Sequence, residues 1–260
     1  ETVFVMIGAL MFLGCPIRMI LRLGGGDLNA LFGIAGFAGG IGFGTIFLKK
    51  GYSLQRTYAL SKLESAMMPA IQVGLLVLVV TAPAFIFFSQ KGPGAMHAPW
   101  LISLAAGLVV GGLSQVSRLC TVGGFRDLFL FKKSILIFGY LAVLIGVFVV
   151  NISFGNFHLG FENQPIAHTD GLWNFLGMAL AGFCSVLLGG CPLRQLIMTG
   201  EGNSDSAVTV LGLAAGAAFA HNFGLAASGA GPTLNGEIAV VVGFIVALII
   251  AVVNTKRANA

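Results

Sequence analysis

Residues 189–202 read GGCPLRQLIMTGEG and interrupt a chain that is otherwise almost entirely apolar. The stretch carries a thiol, a guanidinium group and several residues that break helices. A second copy, GCPIRMILRLGGG, occupies residues 14–26. When Cys15 is aligned with Cys191, further residues match in the same register: Gly36 with Gly212, Gly40 with Gly216 and Phe43 with Phe219. The chain therefore contains an internal repeat built around a cysteine.

The composition indicates an integral membrane protein. Of 260 residues, 57% are hydrophobic and only 9% are charged, whereas soluble domains contain about 25% charged residues. The 38 glycines fit helices that pack closely in lipid. The net charge of +5 reflects membrane topology rather than nucleic-acid binding, because the basic residues lie mostly in short loops.

The cysteines do not form a recognisable scaffold. There are four of them, too few in an apolar chain of this length to indicate a disulfide framework. They show no Cys-x-x-Cys pairing, which argues against a structural zinc site, so we predict neither a metal nor a cofactor. No nucleotide-binding motif supports ATP-driven transport. The chain opens on Glu1 with a short apolar run, so we expect further residues upstream.

Apolar runs of a length that crosses a bilayer, about 20 residues, recur along the chain. They cover residues 28–48, 67–89, 99–117, 134–153, 172–188, 205–223 and 237–254. Residues 2–14 are too short to span and predict a half-helix or the end of a longer helix. Pro83 is expected to kink the second run. The sequence thus predicts an all-helical, multi-span bundle.

The distribution of basic residues predicts the orientation. Loop 49–66, segment 118–133 and the C-terminus are basic, whereas loop 154–171 has no Lys or Arg. The positive-inside rule places the basic segments in the cytoplasm and loop 154–171 outside.

Five spans then separate the two cysteine motifs, so the two copies have opposite orientation. Inverted repeats with broken helices are typical of transporters. We therefore predict inverted repeats at approximately 1–90 and 172–254, with re-entrant half-helices and a middle segment at 99–153. Arg18 and Arg22 would lie outside, against the positive-inside rule. Either they line a cavity, or the topology is displaced by one segment.

The Gly-Cys-Pro-x-Arg pattern predicts an anion site. Pro favours the first helical position, so Cys15 and Cys191 are expected to be N-caps of short helices. The free N–H groups there favour a thiolate and attract anions. Arg18 and Arg194, one turn further on, add positive charge. A small buried cysteine in a kinked helix is the alternative, which the duplication with Arg in register disfavours.

A third polar cluster, SRLCTVGGFRD, covers residues 117–127. It again places a thiol beside a cation and glycines. Polar clusters at membrane depth are usually functional, so Cys120 and Arg118 are predicted to lie on the substrate pathway. An ordinary basic loop explains Arg126 equally well, and Arg126 is therefore a secondary candidate, as is Arg22.

The remaining candidates have stronger structural explanations. Cys184 lies two helical turns before Cys191 and could face the same channel, but core packing is the favoured role. His221 and Asn222 end an apolar span, where a helix-end role is commoner than ligand binding.

Two further predictions concern polar residues near the spans. His158 and His168 fall in a loop and are expected to be solvated. Asn203 and Asp205 are expected to cap the helix that begins near residue 205.

The runs GCPLRQLI (190–197), GEGNSD (200–205) and AHNFGL (220–225) resemble the YeeE/YedE family of membrane proteins that move sulphur compounds. They are most similar to its YedE branch, which is associated with selenium transport. The resemblance implies an hourglass-shaped helical transporter of a bacterial or archaeal cytoplasmic (inner) membrane. It also implies that Cys15, Cys120 and Cys191 line the constriction and pass the anion inward through S–H···S hydrogen bonds. A soluble cytoplasmic sulphur-carrier protein often accompanies the family.

The leading hypothesis is a transporter, not an enzyme, that takes up a small sulphur- or selenium-containing anion, such as thiosulfate, through a positively charged, cysteine-lined pore. Arg attracts the anion, and thiols suit its soft atom. Its expected partners are the anion and the lipid bilayer, without nucleic acid. The alternative is a membrane thiol–disulfide oxidoreductase using Cys184 and Cys191. Seven helical residues separate those Cα atoms by about 10 Å, beyond the disulfide limit of about 7 Å.

Overall fold

A computed structural model of the chain describes residues 1–53, 62–82, 85, 87, 90, 95 and 97–258. These described residues form eleven α-helices and no β-strand. The helices are α1 (Thr2–Phe12), α2 (Pro16–Gly24), α3 (Asn29–Lys49), α4 (Lys62–Thr81), α5 (Trp100–Val116), α6 (Thr121–Phe131), α7 (Ile135–Ser153), α8 (Gly171–Leu187), α9 (Pro192–Gly200), α10 (Ser204–Asn222) and α11 (Leu234–Ala258).

Six helical segments of the described chain are long and apolar enough to cross a membrane. They are Thr2–Gly24, Asn29–Lys49, Trp100–Phe131, Ile135–Ser153, Gly171–Gly200 and Leu234–Thr255. The all-helical, multi-span class predicted from the sequence is therefore confirmed, and the protein is a multi-pass membrane protein. Three of the six segments combine a longer helix with a shorter one and contain a break at a cysteine.

Two predicted spans are not among these six. In place of the predicted span at 67–89, helix α4 covers Lys62–Thr81 and contains Pro69. Pro83 lies outside the described residues. The span at 205–223 forms helix α10. Small and polar residues lower the mean hydropathy of α10, so it is not one of the six segments. Its glycines pack against another helix.

The three breaks share one backbone geometry. Helices α2, α6 and α9 each begin after a cysteine N-cap. The residue two positions before each cysteine is left-handed: Leu13 (φ 61°), Arg118 (φ 52°) and Gly189 (φ 84°). The next residue closes the same hydrogen bond to a carbonyl five residues earlier: Gly14 to Ala9 at 2.8 Å, Leu119 to Ser114 at 3.0 Å and Gly190 to Ser185 at 3.1 Å. This is the 6→1 bond that typically ends a helix.

The predicted N-caps at Cys15 and Cys191 are confirmed, with Pro16 and Pro192 at the first helical positions. The break at Cys120, the second of the three along the chain, is a further copy of the motif, although its sequence indicates only a polar cluster. Its helix begins with Thr121 where the other two copies have Pro, so the most visible part of the motif is absent there.

Close helix packing relates the first and third copies. Helix α3 runs along α8 so closely that a side chain at Gly36 or Gly40 would collide with the carbonyl oxygen of Phe175 or Ala179. Close helix approach at small residues is a general device of membrane helices.

The matching glycines of the third copy make the corresponding contact with the first. Gly212 and Gly216 of α10 approach Thr2 and Val3 of α1. Each copy therefore packs its second long helix against the first helix of the other copy.

Helices α1 and α8 run antiparallel. Gly8 packs against Gly177 and Ala181, whereas Met11, one turn later in α1, lies against Gly177. The three largest fully buried side chains of the described chain, Phe12, Phe37 and Phe183, lie on α1, α3 and α8. These three helices form the centre of the core.

The loop after α7 is attached to the chain between α2 and α3. The N–H groups of His158 and Gly160 donate to the carbonyls of Gly25 and Gly26, at 2.9 and 3.0 Å. His158 is exposed, as predicted.

The prediction that His168 is solvated is wrong, because its side chain is only 2% exposed. Its Nε2 lies 2.8 Å from the Met11 carbonyl oxygen, which can only accept, so Nε2 carries the proton. A carbonyl in the last turn of a helix lacks an intrahelical partner, and His168 supplies one.

Candidate functional site

The thiols of Cys120 and Cys191 lie next to each other. The Cys191 thiol is a neighbour of the Cys120 thiol and of Thr121. Cys191 is 1% exposed and Cys120 is 8% exposed. The second and third breaks therefore meet through their cysteines, and we call Cys120, Cys191, Thr121 and Tyr140 the cysteine centre.

Tyr140 of α7 connects this centre with the first break. Its hydroxyl is within electrostatic range of the thiols of both Cys191 and Cys15. The Tyr140 ring packs edge-on against Phe125, with ring centroids 5.9 Å apart. Cys15 is half-buried, unlike the other two cysteines. Tyr140 therefore lies near both Cys191 and Cys15, and Cys120 is the neighbour of Cys191.

Two hydroxyls of the cysteine centre are buried without a hydrogen-bond partner among the described residues. Thr121 is 1% exposed and Tyr140 is 7% exposed. Neither Thr121 Oγ1 nor the Tyr140 hydroxyl makes a hydrogen bond to a nitrogen or oxygen among the described residues. Most buried polar groups are paired in native structures, so two such hydroxyls in one centre require an explanation.

Neither residue was predicted from the sequence. Thr121 follows Cys120 where the other copies have Pro, which is a signal that an alignment of all three breaks reveals. Tyr140 is one polar side chain in an apolar span, and nothing in the sequence places it beside cysteines that lie far from it along the chain.

The N-termini of the short helices lie at the cysteines. The Gly123 N–H donates to Cys120 Sγ at 3.3 Å, whereas the side chains of Cys15 and Cys191 make no capping hydrogen bond. Free N–H groups and the helix macrodipole give each of these N-termini a partial positive charge. The arrangement suits an anion or an anionic sulphur.

Arg18 and Arg22 line a cavity beside the first break, with a volume of about 430 Å³. Asp27, Asn151, Asn156 and His158 also line it. Arg22 is neutralised by Asp27, since its Nε lies 2.6 Å from Asp27 Oδ2. Arg18 Nε donates to the Leu13 carbonyl at 3.0 Å. The Arg18 charge has no acidic partner among the described residues.

The other predicted arginines differ in their partners. Arg126 pairs with Asp127 at 2.8 Å, and Arg194 pairs with Glu201 at 3.4 Å. Arg118 is exposed and has no acidic partner in the described part of the chain. Carboxylates therefore offset part of the positive charge that the sequence places along the pathway.

Three secondary candidates, Cys184, His221 and Asn222, do not interact with the cysteine centre among the described residues. Cys184 is fully buried within α8, and Cys120, not Cys184, is the thiol neighbour of Cys191. His221 and Asn222 end α10 and are exposed, and Asn222 Nδ2 donates to the Ala218 carbonyl at 2.8 Å. No interaction found in the described part of the chain links these three residues to the centre.

Two further points concern polar groups. Asn203 is the N-cap of α10 and accepts a hydrogen bond from the Ser206 N–H at 2.9 Å, as predicted. Within the described residues, no group of three or more His, Cys, Asp or Glu side chains is placed to hold a metal ion.

Comparison with known protein families identifies the family to which this chain belongs. A family model described as "Sulphur transport" matches residues 116–259, which is more than half of the chain. The chain belongs to the sulphur transport family. This confirms the resemblance to the YeeE/YedE family, and the family indicates a membrane transporter of sulphur compounds.

The matched region of this sulphur transport protein contains Cys120, Cys184 and Cys191, and it begins after the first break. Assignment to the YedE branch stays a prediction. No curated protein and no solved structure gives a significant match.

Proposed function

We propose that the protein takes up a small sulphur- or selenium-containing anion, such as thiosulfate, across a bacterial or archaeal cytoplasmic (inner) membrane. The observation that carries the proposal is the meeting of three cysteine-capped half-helices. The Cys120 and Cys191 thiols are neighbours, and Tyr140 is within electrostatic range of Cys191 and Cys15. The C-terminus lies in the cytoplasm, where the positive-inside rule places Lys256 and Arg257.

The proposed route begins at the cavity beside Arg18. The unpaired charge of Arg18 attracts the anion, and the half-buried Cys15 is the first thiol that it meets. Cys191 and Cys120 follow deeper in the protein. Arg194 lies one turn after Cys191, and Arg118 lies just before Cys120. Thiols are weak hydrogen-bond donors, and several weak sites allow an anion to leave each site as readily as it enters.

Passage requires movement at the cysteine centre. Cys191 is almost completely buried, so an anion reaches its thiol only when the half-helices separate. A soluble sulphur-carrier protein would receive the anion on the cytoplasmic side.

The proposed architecture is an inverted repeat, at approximately 1–90 and 172–254, around the middle segment 99–153. The antiparallel arrangement of α1 and α8 supports the inversion. The reciprocal contacts of the matched glycines with α8 and α1 also support it. The middle segment contributes the second break and with it Cys120.

The test is uptake of labelled thiosulfate into liposomes that contain the purified protein. We expect Cys191→Ala to reduce the initial rate at least about tenfold, because losing one step of the relay adds at least about 1.4 kcal/mol to the barrier. Cys184→Ala is the matched control, since Cys184 is buried in α8 away from the centre, and it should retain most of the rate.

Unchanged uptake by Cys191→Ala at equal protein density would contradict the proposal. Parallel uptake of labelled selenite decides between a sulphur and a selenium substrate.

The facing thiols also support a second candidate, a membrane thiol–disulfide oxidoreductase that uses Cys120 and Cys191 in place of Cys184 and Cys191. In that reaction the two thiols become a disulfide, while a substrate disulfide is reduced to two thiols. Mass spectrometry after incubation with a small disulfide and alkylation would detect a Cys120–Cys191 linkage. Finding both thiols alkylated and turnover absent would exclude this candidate.

A further inference from the structure

The cysteine centre contains two buried hydroxyls that the thiol relay does not use. Thr121 begins α6 directly after Cys120, and its side chain is a neighbour of the Cys191 thiol. Tyr140, on α7, is close enough to the same thiol to interact with it electrostatically. Both hydroxyls are buried, and neither has a hydrogen-bond partner among the described residues. They come from separate helices and lie near the same thiol.

We propose that the hydroxyls of Thr121 and Tyr140 bind the oxygen atoms of the transported anion, while the thiols of Cys120 and Cys191 contact its terminal sulphur or selenium atom. The centre then recognises an anion with two chemically different ends. This inference rests on the transport function proposed above, and it adds the basis of substrate selection.

The chemistry of each half matches its end of the anion. Hydroxyl groups donate short, charge-assisted hydrogen bonds to anionic oxygens. Thiols are soft and polarisable and suit a soft sulphur or selenium atom. Sulfate has only oxygen ends, so it satisfies the hydroxyls and leaves the thiols unmatched. Hydrosulfide has only a sulphur end and leaves the hydroxyls unpaired.

A purely structural role does not account for these hydroxyls. A buried hydroxyl without a partner opposes folding, because it loses its hydrogen bonds to water. Phe at position 140 and Val at position 121 would fill nearly the same space without that cost. The structural interpretation therefore predicts that the hydroxyls stabilise the unliganded protein, whereas ligand binding predicts that they do not.

The experiment measures thiosulfate binding to the purified full chain by calorimetry and by the thermal shift that thiosulfate produces. Tyr140→Phe and Thr121→Val remove one hydroxyl each. We expect each change to raise the thiosulfate Kd about 10- to 100-fold, as for loss of a hydrogen bond to a charged group. The unliganded unfolding temperature should stay the same or rise. Thr121→Ser retains the hydroxyl and should bind within about threefold of the wild type.

Matched controls make the same chemical changes elsewhere. Tyr52→Phe removes a hydroxyl that interacts with Glu1, and Thr45→Val removes one that donates to the Gly42 carbonyl. Both controls should leave the thiosulfate Kd unchanged.

The outcomes separate this inference from the proposed function. Wild-type protein that neither binds nor transports thiosulfate overturns both. Wild-type transport with unchanged Kd in Tyr140→Phe and Thr121→Val overturns only the role of the hydroxyls. A large fall in the unliganded unfolding temperature of both variants also overturns it, because the hydroxyls would then be structural. If Tyr140→Phe and Thr121→Val bind thiosulfate more weakly but bind sulfate as the wild type does, the hydroxyls do not form an oxygen site that the two anions share.

Discussion

Replacing Asp27 by Asn removes the charge that neutralises Arg22 beside the first break, and we expect this change to destabilise the protein. Arg22 Nε lies 2.6 Å from Asp27 Oδ2, and the two side chains are only 5% and 3% exposed. Arg22 also donates to the Phe12 carbonyl and lies over the Phe12 ring. Asp27 Oδ1 accepts from the Asn29 N–H at 2.9 Å. The pair therefore joins the end of α1 to the start of α3.

The expected magnitude follows from this burial. Breaking a buried ion pair by removing one partner costs about 3–5 kcal/mol. Both residues line the cavity beside the first break, where water relieves part of the penalty, so the lower end, about 3 kcal/mol, is expected. A loss of 1 kcal/mol lowers the unfolding temperature of a chain of this size by about 2–4 °C. The shift should therefore be about 6–12 °C.

Thermal unfolding in detergent with a thiol-reactive fluorophore measures the shift, because the chain has four free cysteines. Asp127→Asn is the matched control. It breaks the Arg126–Asp127 pair, whose side chains are 30% and 23% exposed, and such pairs contribute up to about 1 kcal/mol. An Asp27→Asn midpoint within about 2 °C of the wild type would refute the reasoning. The double variant Arg22→Met/Asp27→Leu should lose less than Asp27→Asn, because no unpaired charge remains.

Two further predictions concern the helix contacts and the breaks. Gly40→Ala places a methyl group against the Ala179 carbonyl oxygen and should lower the amount of folded protein in the membrane severalfold, as measured by fluorescence-detected size-exclusion chromatography. Gly39→Ala, whose added carbon would lie 4.0 Å from its nearest neighbour, should leave that amount unchanged, and equal losses would contradict the packing argument. Arg118→Gly should unfold at a higher temperature than Arg118→Ala, because only Gly relieves the left-handed conformation, by about 1 kcal/mol; equal midpoints would show that the conformation carries no strain.

The hydropathy, the cysteine N-caps and the repeat were visible in the sequence because each depends on local signals. Pro16 and Pro192 each favour the first helical position wherever the rest of the chain lies. The apolar runs predicted most helices to within a few residues, since the bilayer imposes their length.

Other predictions failed or were absent because they depend on contacts between distant segments. His168 was expected in solvent, but a carbonyl at the end of α1 binds it in the interior. The sequence did not reveal the break at Cys120 as a further copy of the motif, since a left-handed Arg118 has no distinctive sequence signal. The carboxylate partners of three arginines were also not predicted.

The sequence by itself determined a multi-span helical protein of the sulphur transport family with cysteines at interrupted helices. Only the tertiary structure decided which cysteines meet. Cys120 and Cys191 are 71 residues apart in the chain, and their thiols become neighbours because two breaks on separate helices converge. Tyr140, on a third helix, lies near Cys191. Hydrophobic patterning specifies which residues are buried, whereas helix packing through close glycine contacts specifies which buried residues face one another.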